Sequence, residues 1–300
     1  KRYPKGLFRS IDVFQQIDVG MPSLKKIEGN MGRKILETSV GFDIDRPLTI
    51  LELQAEKDYC SYDIDNTIDV YKIRIKSYFQ PKSALVEMNN GKGEGWNTTT
   101  LSANALLQGM ALQKWSDIRL NGKDFTDMSM LDLVPVEVVD LWNSGNDKGK
   151  VTIEDFGCKI EFGFGGLHGV NKKGRKFENV KLLDVASMYP HIILEINALG
   201  QATEKYKAIL DERVAIKHID KTKSDALKLI LNSVYGLLKN QYSPLFNPKS
   251  ALSVCVYGQI ALYQLGKMLA PVATIVQLNT DGVAFIPHGE YDHIWKEWEE

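Results

Sequence analysis

The sequence predicts an α+β chain, in which a few short strands form a sheet and long helices pack around it. Three observations carry this. The apolar run Val180, Leu182, Leu183 stops at Asp184 and is followed by Pro190 and by Ile192, Ile193 and Ile196 at helical spacing: a strand, a turn, then a helix. Thr274–Leu278 and Val283–Ile286 are strand-like and flank Asn279-Thr280-Asp281-Gly282, which has hairpin-turn chemistry. Between them lie three helical stretches, 203–219, 223–239 and 251–269.

Composition sets the frame. Three hundred residues exceed one ordinary domain. Hydrophobic content of 44% and charged content of 25% are those of a globular protein with ample core material. A formal net charge of -1 means that any nucleic-acid surface is a local patch. Cys60, Cys158 and Cys255 are far apart and show no disulfide or zinc spacing, which fits a reducing, cytoplasmic compartment. Lys267 and Pro271 interrupt the one long apolar stretch, so no membrane span is expected. The chain opens on Lys1 without Met and stops at Glu300 within a helical pattern, so it is expected to be a piece of a longer protein.

In chain order, turn chemistry dominates the first fifty positions, with a short helix expected over 23–27. From Leu51 the spacing of Tyr59, Tyr62, Asp63, Asn66, Val70, Ile73 and Arg74 is helical and continues toward Ser83 and Met88. Asn89–Asn97 is a Gly-rich break and an expected domain boundary, and 101–110 reads as a helix. Residues 117–149 are expected to be turns with short strands, and 153–164 one alternating strand. The 145–150 run is similar to a phosphate-binding loop, but it is one residue short, and Val151 stands where a hydroxyl residue is needed. Gly163, Gly165, Gly166 and Gly169 crowd one loop, followed by the basic cluster Lys172, Lys173, Arg175, Lys176.

Three stretches carry chemistry. At Asp184 a carboxylate stands beside the free amides of residues 186–189, a combination that suits a metal–phosphate complex; alone, Asp184 reads more readily as a helix cap. Along 228–236, Lys228, Asn232 and Tyr235 fall on one helix face, and the preceding helix offers Arg213 and Lys217 four apart. Cations gathered this way repel unless an anion sits among them, and a triphosphate is the natural occupant; scattered surface cations are the alternative. If the hairpin at Asp281 packs beside the strand ending at Asp184, the two carboxylates meet, a pairing suited to two magnesium ions.

Asp184-Val-Ala-Ser-Met-Tyr-Pro190, Lys228-x-x-x-Asn-Ser-x-Tyr-Gly236 and Asn279-Thr-Asp281, in this order, resemble motifs A, B and C of the family B DNA polymerases. The resemblance implies template-directed addition of dNTPs to a primer 3′ end by two-Mg2+ phosphoryl transfer. It implies a fold ending in a polymerase palm with a short two-helix fingers insertion, preceded by the C-terminal part of an RNase H-like exonuclease domain. The implied division is 1–88 exonuclease, 89–165 connector, 166–198 palm, 199–240 fingers and 241–300 palm, with no thumb. Asp184 and Asp281 would be catalytic and, with the Val185 carbonyl, would hold metal. Ser187, the Met188 amide, Tyr189, Arg213, Lys217, Lys228, Asn232 and Tyr235 would bind nucleotide, with Tyr189 under the sugar, excluding a ribose 2′-hydroxyl. Tyr59-x-x-x-Asp63 is similar to the third exonuclease motif. DNA contacts are implied at Gly165, Gly166, Lys172, Lys173, Tyr235 and Gly236.

This chain departs from the pattern in three places. Asn279 replaces the first motif C aspartate, no first exonuclease motif precedes Tyr59, and no Tyr stands in the Gly165–Gly166 loop. With only 44 positions between Asp184 and Lys228, compact fingers and no protein-priming insertion are expected. The short fingers and the Asn-Thr-Asp-Gly turn resemble bacteriophage members. Partners implied are primer-template DNA, dNTPs and accessory replication proteins. The alternative is a non-catalytic DNA-binding module with a decayed site; a nuclease alone would lack its first-motif carboxylates.

Overall fold

The computed structural model describes residues 12–16, 20, 22–41, 43–110, 128–144, 146, 148–174 and 176–299. The architecture is mixed, a single antiparallel sheet with helices. Helix α1 (Leu24–Asn30) is capped by Ser23, whose hydroxyl accepts from the Lys26 amide. Helix α2 (Ile50–Arg74) begins in a reciprocal capping box between Thr49 and Glu52. It runs through a π-helical segment, Ile75–Phe79, into α3 (Gln80–Met88), as the spacing predicts. After the Gly-rich break comes α4 (Thr98–Leu107), capped by Asn97.

Leu85 of α3 and Leu101, Leu106 and Leu107 of α4 are buried in one cluster with Tyr206, Leu227, Ile230 and Val234 from further along the chain. The core therefore continues across the break where a domain boundary is expected. The described part of 117–149 is helical rather than stranded: a 3-10 turn (Met128–Leu133) and α5 (Val136–Asn143). Val138, Leu141 and Trp142, at helical spacing, bury one face of α5 in the main core, which decides the matter over the turn-forming Pro135 and Ser144. Residues 111–127, Gly145, Asp147 and Arg175, on which parts of the sequence reading fall, lie outside the described residues.

The stretch 153–164 is two strands and not one: β1 (Val151–Asp155) and β2 (Cys158–Phe162). The two residues between them, Phe156 and Gly157, both have positive φ, 35° and 79°, the tight turn whose twist matches a hairpin. Next come β3 (His168–Asn171) and β4 (Lys181–Asp184), then α6 (Met188–Glu195), α7 (Thr203–Ile216), α8 (Lys221–Lys239) and α9 (Pro248–Leu269). The chain returns through β5 (Ala273–Asn279) and β6 (Gly282–Pro287) to α10 (Asp292–Glu299). The six strands lie in the order β1-β2-β3-β5-β6-β4, all neighbours antiparallel. The boundary expected at 165 thus falls inside the sheet.

Helix α9 covers the sheet with Val256, Ile260, Leu262, Tyr263, Leu265 and Leu269, all buried. Burying each such side chain stabilises by roughly 1.5–3 kcal/mol before chain entropy is counted. Two hydrophobic clusters result. One lies between sheet and α9; the other joins α3, α4, α7 and α8. Residues 184–189 and Tyr235 lie where they meet, since Tyr189 and Ile192 pack against both. Among the described residues no helix is long and apolar enough to cross a membrane.

Candidate active site

Strand pairing builds the acidic end of the site. β4 lies beside β6 with Asp184 opposite Gly282, so Asp184 stands next to the tip of the β5–β6 hairpin. The Val185 amide donates to the Asp281 carbonyl at 2.8 Å, which ties the two turns together. Both carboxylates are exposed. Partial burial, and then the negative charge of Asp184, raise the pKa of the Asp281 carboxyl above its ordinary value. The two acids, 97 positions apart in the chain, therefore feel each other.

Both turns hold a non-glycine residue in the left-handed region. Ser187, three residues after Asp184, has φ 56°, and Thr280, just before Asp281, has φ 58°. The Asp281 amide bonds back to the Asn279 carbonyl at 2.6 Å, closing a three-residue turn around Thr280. A β-branched residue at positive φ costs on the order of 1–3 kcal/mol, and such strain concentrates at functional sites. The Gly165–Gly166 loop holds the turn from outside. The Thr280 amide donates to the Leu167 carbonyl at 2.8 Å. A Cβ on Gly166 would stand 2.4 Å from Thr280 Oγ1 and 2.9 Å from its Cβ. Gly166→Ala is therefore expected to displace the Asp281 turn, with a stability loss of about 1–3 kcal/mol. Adding Thr280→Gly, which removes both the clash and the strain, should restore most of it; thermal melts of the single and double variants check this.

The cations have different immediate surroundings. Arg213 on α7 reaches the acidic end, its guanidinium 3.4 Å from Ser187 Oγ, and its Nε is buried without a hydrogen-bond partner. Lys217, expected beside it, is the C-cap beyond the last turn of α7 and is exposed. Lys228 and Asn232 line a cavity of about 530 Å³ between α8 and the π-helical segment, with Lys76, Lys221 and Asp225 on its walls. Tyr235, next on the same face, instead meets Tyr189 edge to face, with ring centroids 5.0 Å apart. Met188 is buried at the start of α6.

Other expected residues have other partners. Lys172 pairs with Glu154 at 2.6 Å, and the Lys173 amide bonds Asn171, so both belong to the turn after β3. Gly236 faces open space. Asp63 pairs with Lys25 at 2.7 Å, and the same ammonium lies 4.6 Å from the Tyr59 ring centroid. Tyr59 and Asp63 thus join α2 to α1, an ordinary structural contact. Among the described residues no group of three or more His, Cys, Asp or Glu side chains could hold a metal ion.

Sequence reasoning missed the support beneath the tyrosines. Gln259 on α9 clamps Gly163: its amide donates to the Gly163 carbonyl at 3.0 Å and accepts from the Gly163 amide at 3.1 Å. Cys255, one turn earlier, hydrogen-bonds the Tyr235 hydroxyl. The signal was Cys255 and Gln259 four apart on one helix face, which reads as incidental. His168 was also missed; its Nδ1 lies 3.1 Å from Asn279 Oδ1.

No family model matches the sequence, and no curated protein matches it. Among solved structures the chain is similar to the family B DNA polymerase from the hyperthermophilic archaeon Pyrobaculum calidifontis, at 13% identity and a TM-score of 0.49. The match covers 93% of this chain and 38% of that polymerase, so the chain spans well under half the length of the structure it resembles.

Proposed function

We propose that the chain is part of a template-directed DNA polymerase of the family B type, adding dNTPs to a primer 3′ end. The observation that carries the reading is the register of β4 against β6, which sets Asp184 beside the turn bearing Asp281. Arg213 reaches Ser187, three residues after Asp184, and leaves its buried Nε without a hydrogen-bond partner, which supports an anion as its occupant.

The donor set fits magnesium. Two carboxylates and the Val185 backbone carbonyl would be hard oxygen ligands of the kind magnesium takes. When bound, two Mg2+ ions would stabilise the attacking and leaving oxygens of an in-line displacement. The remaining work falls to this chain. Arg213 and Ser187 would hold triphosphate oxygens, and the fixed fork of the guanidinium suits them better than a lysine would. Lys228 and Asn232 would approach the nucleotide from the neighbouring cavity. Tyr189, backed by Tyr235, would form the floor beneath the sugar. The β4–β6 region is then the palm and the α7–α8 pair the fingers.

The competing reading, a DNA-binding module with a decayed site, draws on Asn279. It leaves the strained turns and the orphaned Arg213 Nε without a role. The test is primer extension by the full-length protein in Mg2+. Template-directed incorporation that is lost in Asp184→Asn supports the proposal, and incorporation unchanged in that variant overturns it.

A further inference from the structure

Two groups from two elements meet at one sulfur. The Tyr235 hydroxyl lies 2.6 Å from Cys255 Sγ, and the sulfur lies 3.7 Å from the Phe164 carbonyl, which its S–H can reach as a donor. The Tyr189 ring leans edge to face on the Tyr235 ring, with centroids 5.0 Å apart. Cys255 is fully buried in α9. One turn on, Gly258 leaves the space that the Tyr189 ring occupies; a Cβ there would stand 3.2 Å from Tyr189 Cε1. Lys239 closes the far side, 4.9 Å above the Tyr235 ring centroid, and donates to the same Phe164 carbonyl at 3.2 Å. Burial raises the pKa of both phenols and of the thiol; contact with Cys255 raises the phenols further, while the Tyr235 contact lowers the thiol, and the Tyr235 hydroxyl, the thiol and the Phe164 carbonyl can form a continuous donor–acceptor chain.

We infer that Cys255 is a positioning residue that fixes the height and tilt of the Tyr189–Tyr235 pair, and with it the discrimination between deoxyribo- and ribonucleotides. This rests on the polymerase reading above. An aromatic ring in edge contact tolerates small shifts at little cost, so ring packing alone does not hold Tyr189 in one place. A directional bond from the Tyr235 hydroxyl to a sulfur on a rigid helix fixes the ring on which Tyr189 leans, and Gly258 of the same helix seats Tyr189. The floor beneath the sugar is then set from below by α9, and a displacement of a few tenths of an ångström there changes the room left for a 2′-hydroxyl.

The experiment compares single-nucleotide insertion of a dNTP and the matching rNTP by the full-length protein, in wild type, Cys255→Val and Cys255→Ser. Valine fills the space with methyl groups and removes the bonds to Tyr235 and Phe164; serine restores a hydroxyl that can accept and donate. Cys255→Val is expected to lower the dNTP/rNTP ratio of kcat/KM about tenfold, through KM, with kcat for the dNTP within about twofold. Cys255→Ser should return the ratio to within about threefold of wild type. A Cys255→Val ratio equal to wild type, alongside a Tyr189→Ala ratio that falls, overturns the inference and leaves the polymerase reading standing. Insertion that survives Asp184→Asn overturns both. A Cys255→Ser variant that discriminates as poorly as Cys255→Val, with both melting below wild type, shows a packing role only and overturns the inference.

Discussion

Asp281→Asn is expected to abolish nucleotide addition while leaving the metal-free protein more resistant to heat than wild type. The first half follows from the donor set: losing one of two carboxylates removes charge the metals need, and a loss of 10³-fold or more is the expected scale for the central electrostatic element of a site. The second half follows from the raised carboxyl of Asp281. A carboxyl that titrates higher in the folded state than in the unfolded chain binds more protons when folded. Stability therefore falls as pH rises from the ordinary carboxylate range through the folded-state value, and the deficit persists at neutral pH. Asparagine has no charge to repel Asp184, so the deficit disappears. Melting curves in a chelator at pH 4 and pH 7.5 check the sign: the gain over wild type should be small at the lower pH and larger at the higher. Since Asp281 is exposed, solvent screens the effect, and only its direction is predicted.

Arg213→Ala should raise KM for dNTP by roughly 10- to 100-fold, with primer-template affinity changed less than twofold. One charge-assisted hydrogen bond to phosphate contributes about 1.5–3 kcal/mol, and each 1.4 kcal/mol is a factor of ten. The guanidinium makes one long contact, to Ser187, and buries Nε without a partner. Its removal should therefore cost little stability, which separates binding from folding. Arg213→Lys should recover only part of the loss, because an ammonium cannot reproduce the two-pronged contact. Steady-state kinetics with varied dNTP, together with primer-template anisotropy, decide it; an unchanged KM would remove Arg213 from the site.

Much of this site can be read from the chain because its parts are local. Asp184 ends an apolar run, and Asp281 sits in a turn between two strand-like runs, so both carboxylates were expected at strand ends. Their meeting depends only on β4 lying beside β6. Arg213 and Lys217 remain four apart on one helical spiral, since Lys217, the C-cap of α7, keeps helical backbone angles. Lys228, Asn232 and Tyr235 do share a face, but the face is long enough to span two neighbours, the π-helical segment and Tyr189. Tyr59 and Asp63 are on one helix face as expected, and there they meet Lys25, which no local pattern in α2 could reveal. The strand expected over 153–164 looked continuous because a two-residue turn interrupts alternation only briefly. Cys255, Gly258 and Gln259 were invisible because their partners, Phe164, Tyr189, Tyr235 and Gly163, come from elsewhere in the chain.

The central claim is that Asp184 and Asp281 share metal. Fe2+ exchanged for Mg2+ in the full-length protein, then treated with ascorbate and peroxide, cuts backbone within a few ångströms of the bound ion. Cuts at 184–186 and 280–282, suppressed by excess Mg2+ and absent in Asp184→Asn, are the predicted result. Cleavage confined to other segments, or unaffected by that substitution, would contradict it.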